Sequence, residues 1–290
     1  MENQKILTAK ADDGTIARAL DDGNGLPIVI LHPGMNSPER YSKVSNVLSK
    51  HYRVIRIYRY QYRLDLKKDV NIGSPCSVAD EVNHVLAIVK EIGKPVLLFG
   101  HSSGGTIALE SLLKSPNSFV GGLIYEPALV TKKDNVYYLS GDKLDSNGAI
   151  GNCVRLAREA LQVGNPGKAL SIFMQHVAHW GKIPSNIAGK LTASIAVHRP
   201  IIPCQIDDLE AMETLGYRLN EYKSLIMPLA MIYGEKSIEP NKAMAFAVTD
   251  IAQNIELIPL KNQGHNGHAQ DPNQLGNIIK EFADKVFSTQ

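Results

Sequence analysis

The sequence predicts an α/β protein with a mainly parallel central sheet, helices on both faces of that sheet and a helical cap insertion. Two observations carry this expectation. Short, unbroken apolar runs alternate with longer segments of helical period, and that alternation lapses between about residues 127 and 225 before it resumes. At 290 residues the chain fits one α/β domain with an insertion.

In chain order, residues 4–11 and 15–20 read as a hairpin turned at Asp12-Asp13-Gly14. Ile28-Val29-Ile30-Leu31 is a strand feeding a tight loop, His32-Pro33-Gly34-Met35, ahead of a helical stretch over residues 38–50. Val78, Val82, Val85, Leu86, Val89 and Ile92 keep a helical period, opened by Ser77-x-x-Asp80 and closed by Gly93 and Pro95. Val96-Leu97-Leu98-Phe99 is a buried-type strand; residues 227–233 and 255–260 are two late ones, and an amphipathic helix closes the chain over about 271–287. The insertion holds helix-like pieces at 153–163, 168–180 and 206–219. On the second of these, Ala169, Phe173, Val177 and Trp180 share one face, suited to packing or to lining a pocket. The expected division is a core of 1–127 with 226–290, and a cap of 128–225.

Gly100-His101-Ser102-Ser103-Gly104 lies between the Val96–Phe99 run and a helix-patterned stretch. A serine hydroxyl is a poor nucleophile. Held at a sharp strand-to-helix turn, it gains the next residue's N–H and the helix N-terminus to stabilise developing negative charge. The flanking glycines suit a turn with little room for a Cβ. Such a serine needs a base and an orienting acid. His265, after the last strand and before the last helix, is the candidate base, with His268 its rival. The amide of Ser103 is one candidate oxyanion donor. The other is Gly34 or Met35, since Pro33 has no N–H.

His-Pro-Gly after an early strand, Gly-His-Ser-Ser-Gly-Gly after a central one and Gln-Gly-His after the last together resemble the α/β-hydrolase family over nearly the whole chain. The resemblance implies an aspartate just after the penultimate strand, yet that loop reads Gly234-Glu235-Lys236-Ser237-Ile238-Glu239-Pro240. Ser237 stands where the aspartate is expected, and a serine cannot stabilise an imidazolium by charge. Some relatives, part of the haloalkane dehalogenase group among them, carry the acid after the strand that follows the elbow helix, and here that position is Glu126. A carboxylate directly after a buried apolar run is costly unless paired, and an imidazole N–H is a suitable partner. Glu239 and Glu235 are the alternatives. The loop Tyr58-Arg59-Tyr60-Gln61-Tyr62-Arg63 also departs from the family's Asp-Arg-Arg-Gly. Its tyrosines are suited to stacking on a ring substrate or to packing a rim.

These features imply a serine hydrolase acting on an ester or lactone of a small, fairly apolar acid. A C–C hydrolase or hydroxynitrile lyase would use the same three residues, and a weakly catalytic capped receptor would retain the cavity without the rate. A haloalkane dehalogenase is disfavoured because its nucleophile is a carboxylate. A formal net charge of +2 points to neither nucleic acid nor membrane as partner, and the basic cluster over residues 53–68 reads as a solvated edge. Cys76, Cys153 and Cys204 lack C-x-x-C spacing and read as free thiols, and His176 and His179 read as a cap-helix face rather than metal ligands. The expectation is a cytoplasmic monomer or homodimer with a small-molecule substrate and no cofactor or metal.

Overall fold

The structure, a computed structural model, describes residues 5–67, 73, 75–144, 151–251 and 255–289. Residues 1–60, 79–127 and 219–290 form one compact unit, and residues 61–78 with 128–218 form a second. The second unit thus takes in a segment upstream of the insertion as well.

The first unit opens with the hairpin β1 (Lys5–Lys10) and β2 (Ile16–Gly23), followed by β3 (Pro27–Leu31), α1 (Ser42–Leu48) and β4 (Arg53–Ile57). Next come α2 (Val78–Ile92), β5 (Val96–His101), α3 (Ser103–Lys114) and β6 (Phe119–Tyr125). The second unit contributes β7 (Val130–Lys133), β8 (Val136–Leu139), β9 (Asp142–Lys143), α4 (Asn152–Gln162), α5 (Pro166–His176), α6 (Lys182–Ser194) and α7 (Ile201–Leu215). The first unit is completed by α8 (Leu219–Tyr222), β10 (Leu229–Gly234), α9 (Glu239–Ile251), β11 (Ile255–Leu260), α10 (Gly267–Gln270) and α11 (Pro272–Phe287).

The main sheet runs β1-β2-β4-β3-β5-β6-β10-β11; β2 is antiparallel to β1 and β4, and every later pair is parallel. Every residue of β3, β5 and β6 is buried, which is why these strands are apolar on both faces. Val44 and Leu48 of α1 and Leu275, Ile279, Phe282 and Val286 of α11 meet Ile28, Ile30, Leu97, Phe99 and Leu123 in one apolar cluster. At roughly 1.5–3 kcal/mol for each fully buried aliphatic side chain, this layer holds the strand ends in register.

Besides its helices, the insertion carries a small antiparallel sheet of β7, β8 and β9. Its two-residue turns, Asp134-Asn135 and Ser140-Gly141, all have positive φ, as the tight hairpin turns that match strand twist require. One expectation needs correction: the basic cluster is not a solvated edge. Arg56, Arg59 and Arg63 are buried, and each guanidinium is matched to a carboxylate: Asp22, Glu81 and Asp65 respectively. Pairing makes the burial tolerable. Within the second unit, Ala169 is fully buried, Phe173 and Val177 are half-buried, and Trp180 lies beyond the end of α5 and is exposed. His176 Nδ1 lies 3.0 Å from Asp142 Oδ1, and His179 Nε2 donates to the Ser140 carbonyl (2.9 Å).

Candidate active site

β5 and α3 meet at Ser102, whose backbone has φ 54° and ψ −128°. For a residue with a side chain such a conformation costs of order 1–3 kcal/mol, and it persists only where the surroundings over-determine it. Here they do. Ser102 N–H donates to the Tyr125 carbonyl (2.9 Å), and the Ser102 carbonyl accepts from Gly105 (2.7 Å) and Thr106 (3.2 Å). A Cβ on Gly100 would lie 2.5 Å from the Gly104 carbonyl oxygen, and one on Gly104 would lie 2.5 Å from that of His32. Both glycines therefore answer to close backbone approach. They let strand, turn, helix and the loop after β3 pack together.

β6 ends at Tyr125, and Glu126 follows with φ 40° and no exposed surface. Its N–H donates to the Ile232 carbonyl (3.1 Å), which ties the turn to β10. Its carboxylate is saturated from two sides: Oε1 accepts from the Gly234 amide (2.7 Å), and Oε2 accepts from His265 Nδ1 (2.6 Å). A carboxylate at that position accepts only, so the proton of the imidazole lies on Nδ1. The other two candidate acids lie elsewhere. Glu235 Oε2 accepts from the Asn262 amide (2.8 Å), and Glu239, its side chain 85% exposed, pairs with Lys242. Ser237 is buried in the turn, its N–H donating to the Gly234 carbonyl (3.0 Å).

His265 belongs to a cluster of rings. His101 stacks on Tyr125 with centroids 4.4 Å apart and lies 4.7 Å from His265 and 5.2 Å from His268. His101 Nδ1 bonds the Tyr41 hydroxyl (2.7 Å), and His268 stacks on the Tyr41 ring (4.9 Å, 5°). Burial, reinforced by His265 nearby, pushes the His268 imidazole down to about 4 and holds that of His101 well below its ordinary value. His268 Nε2 accepts from Asn36 Nδ2 (3.2 Å). At neutral pH His101 and His268 are uncharged rings that wall His265. Tyr125, which backs this cluster, donates its hydroxyl to the Gly264 carbonyl at the turn that carries His265.

Residues 28–275 match the alpha/beta hydrolase family. The chain belongs to that family. No curated protein matches it, whereas solved structures of the same fold do. An alpha/beta hydrolase from Sphaerobacter thermophilus superposes with TM-score 0.73 at 19% identity, over 95% of this chain and 99% of that one. An esterase from a Rhodococcus species gives 0.71 at 17% identity (97% and 99%), and the enol-lactonase from Burkholderia xenovorans 0.70 at 14% (96% and 100%).

In this alpha/beta hydrolase the loop after β3 is held by groups that sequence reasoning passed over. His32 Nδ1 donates to the Pro33 carbonyl (2.8 Å), and Met35 has φ 50°. Burial, with Arg59 adding to it, pushes the His32 imidazole down to about 3. Arg59 is fully buried and joins three elements: it donates to Glu81 Oε1 on α2 (2.8 Å from Nη2), to Ser103 Oγ at the start of α3 (2.8 Å) and to the His32 carbonyl (3.3 Å). Glu81 Oε2 accepts from the Tyr60 amide (2.9 Å), which pins the loop that presents Arg59. The loop with Gly34 and Met35 and the residue after Ser102 therefore share one guanidinium. A usable signal existed in an arginine two residues beyond an almost fully buried strand, with a glutamate in the first turn of the next helix. Of the three tyrosines in that loop, Tyr60 packs edge-on against His84 (4.4 Å), and Tyr62 donates to Asp208 (2.9 Å) within the second unit.

Proposed function

We propose that this protein is a serine hydrolase that cleaves an ester or lactone of a small, fairly apolar carboxylic acid through an acyl-enzyme. One observation carries the reading: Glu126 Oε2 lies 2.6 Å from His265 Nδ1 in a family member whose Ser102 occupies a strained strand-to-helix turn. Ser102 Oγ attacks the substrate carbonyl, and its proton passes to His265 Nε2, the ring nitrogen opposite the one Glu126 holds. The charged imidazole is stabilised by the Glu126 carboxylate. The oxyanion accepts from the Ser103 amide, at the positive end of α3, and from the amide of Gly34 or Met35. His265 returns the proton to the leaving alcohol, then activates the water that releases the acid. The esterase and enol-lactonase that share the fold support the substrate class by analogy. The insertion is the region we assign to substrate choice.

A fluorophosphonate probe tests the first half of this scheme, and a panel of p-nitrophenyl esters and lactones of graded acyl length tests the second. The probe should label Ser102, and Ser102→Ala should lose both labelling and several orders of magnitude of hydrolysis. Turnover in Ser102→Ala equal to the parent would overturn the proposal. A folded protein that the probe leaves untouched would instead favour a binding role.

A further inference from the structure

Helix α6 is built inside out. Its small residues Ser185 and Gly189 are buried, whereas Ile183, Ile187 and Leu191, spaced i, i+4 and i+8 along one face, are 74%, 56% and 61% exposed. Trp180 just before the helix, and Ile195 and Val197 just after it, are exposed as well. A helix in a globular unit ordinarily turns its large aliphatic side chains to the core. Single exposed leucines need no explanation, but six large apolar side chains within residues 180–197 do.

Charge in this region is as one-sided as hydrophobicity. From Gly164 to Ile206 the chain has no aspartate or glutamate, yet it carries Lys168, Lys182, Lys190 and Arg199. The whole chain has 31 basic and 29 acidic residues, so its near-neutrality hides a local segregation. Lys182 and Lys190 each adjoin a member of the aliphatic row, and neither is paired with a carboxylate among the described residues.

We propose that this face of α6 docks on the surface of a bilayer that contains anionic lipid. The helix lies flat, with Ile183, Ile187 and Leu191 among the upper acyl chains and Lys182 and Lys190 at the level of the headgroups. At 13 residues, or about 20 Å, α6 is too short to cross a hydrocarbon core of roughly 30 Å. No helix among the described residues is long and apolar enough to do so. An anionic surface answers both the aliphatic row and the uncompensated lysines. A second copy of the chain answers only the first, because a two-fold axis through this face would set the lysines against their own kind. The local distribution of charge, unlike the net charge of the whole chain, favours such a surface.

Trp180 is the only tryptophan in the protein and stands at the end of the row, so its emission reports docking without a label. The full chain is mixed with vesicles of phosphatidylcholine alone and of phosphatidylcholine with phosphatidylglycerol. The mixed vesicles should shift Trp180 emission to the blue and carry the protein in flotation, and added salt should weaken both effects. Ile187→Ser combined with Leu191→Ser should lower vesicle affinity at least about tenfold. Lys182→Gln and Lys190→Gln should each cost about fivefold on the phosphatidylglycerol vesicles and little on the neutral ones. These substitutions lie on the surface, so unchanged melting curves will show that the variants are folded. Binding to neither vesicle would overturn the proposal. Equal binding to both would overturn its anionic part. Concentration-dependent dimerisation, lost in the Ile187→Ser/Leu191→Ser variant, would assign the face to a second copy. None of these readouts requires catalysis, so failure here and failure of the serine-hydrolase reading are separate events.

Discussion

The segment β5–α3–β6 and the helix pair α5–α6 treat the same residue types in opposite ways. In the first, every large aliphatic side chain of the two strands is buried, and the cation that braces the start of α3 from outside the segment, Arg59, is itself buried and paired with Glu81. In the second, Ser185 and Gly189 are buried while Ile183, Ile187 and Leu191 are exposed, and Lys182 and Lys190 pair with no carboxylate among the described residues. A central strand is enclosed on both faces by the topology, so burial alone dictates its composition. A helix at the edge of a small unit is under no such obligation, and its pattern records what it meets outside the chain.

The largest effect expected from breaking this contrast lies in the core. Glu126→Gln keeps shape but removes the charge facing His265, and acylation should fall by about a hundredfold to ten-thousandfold, measured as the burst of p-nitrophenol release. Glu235→Gln and Glu239→Gln should stay near the parent rate; a reversed ranking would move the acid to the loop after β10.

Next comes the buried cation. Arg59→Met takes away the guanidinium that Glu81 faces and should cost about 3–5 kcal/mol in urea unfolding, part of which Arg59→Met with Glu81→Leu should restore. Lys182→Met on α6 should change stability by no more than about 0.5 kcal/mol. Comparable losses at both sites would erase the distinction between the two regions.

A smaller, pH-dependent effect follows from the ring cluster. His268 is held neutral in the folded protein, down to about 4, and reverts to the usual histidine range near 6.5 when unfolded. Between these values the unfolded chain binds the extra proton. Stability is therefore intact above about 6.5 and is lost as pH falls toward 4, with His32 extending the same trend toward 3. Melting temperatures recorded from pH 7 to pH 5 should fall less steeply for His268→Gln; an identical slope would remove His268 from the account. Smallest of all, Ile187→Ala should alter melting hardly at all, within about 0.5 kcal/mol, because its side chain is already in water.

Much of the first unit was legible in the sequence, because strands enclosed on both faces must be unbroken apolar runs, and Val96–Phe99 and Ile28–Leu31 are such runs. The second unit was harder to read. Its strands are four or two residues long and mix lysine with tyrosine, so the stronger signals were the turn pairs Asp134-Asn135 and Ser140-Gly141, which went unread. Helix α6 was not legible because its aliphatic residues face outward, where no core imposes a pattern. At the candidate site, the strained turn at Ser102 was visible in its glycines, and the pairing of Glu126 was reached through the serine at position 237, the position of the acid in some relatives and the cost of an unpaired carboxylate. Arg59 left a fainter mark, an arginine just beyond a buried strand with a glutamate opening the next helix, whereas its contacts with Ser103 and His32 come from separate elements that no local spacing relates.

The place of Glu126 has a consequence for how the chain assembles and diversifies. Ser102 and Glu126 directly follow His101 and Tyr125, which are in register at the carboxyl ends of the neighbouring parallel strands β5 and β6, so their relative position is settled as soon as that βαβ unit closes. An acid after β10 would sit on the far side of the whole insertion, and its register with the serine would depend on a loop closure spanning that segment. With the pair carried locally, two of the three groups of the proposed triad keep their register whatever the length of the insertion, and the C-terminal histidine alone waits for the rest of the fold.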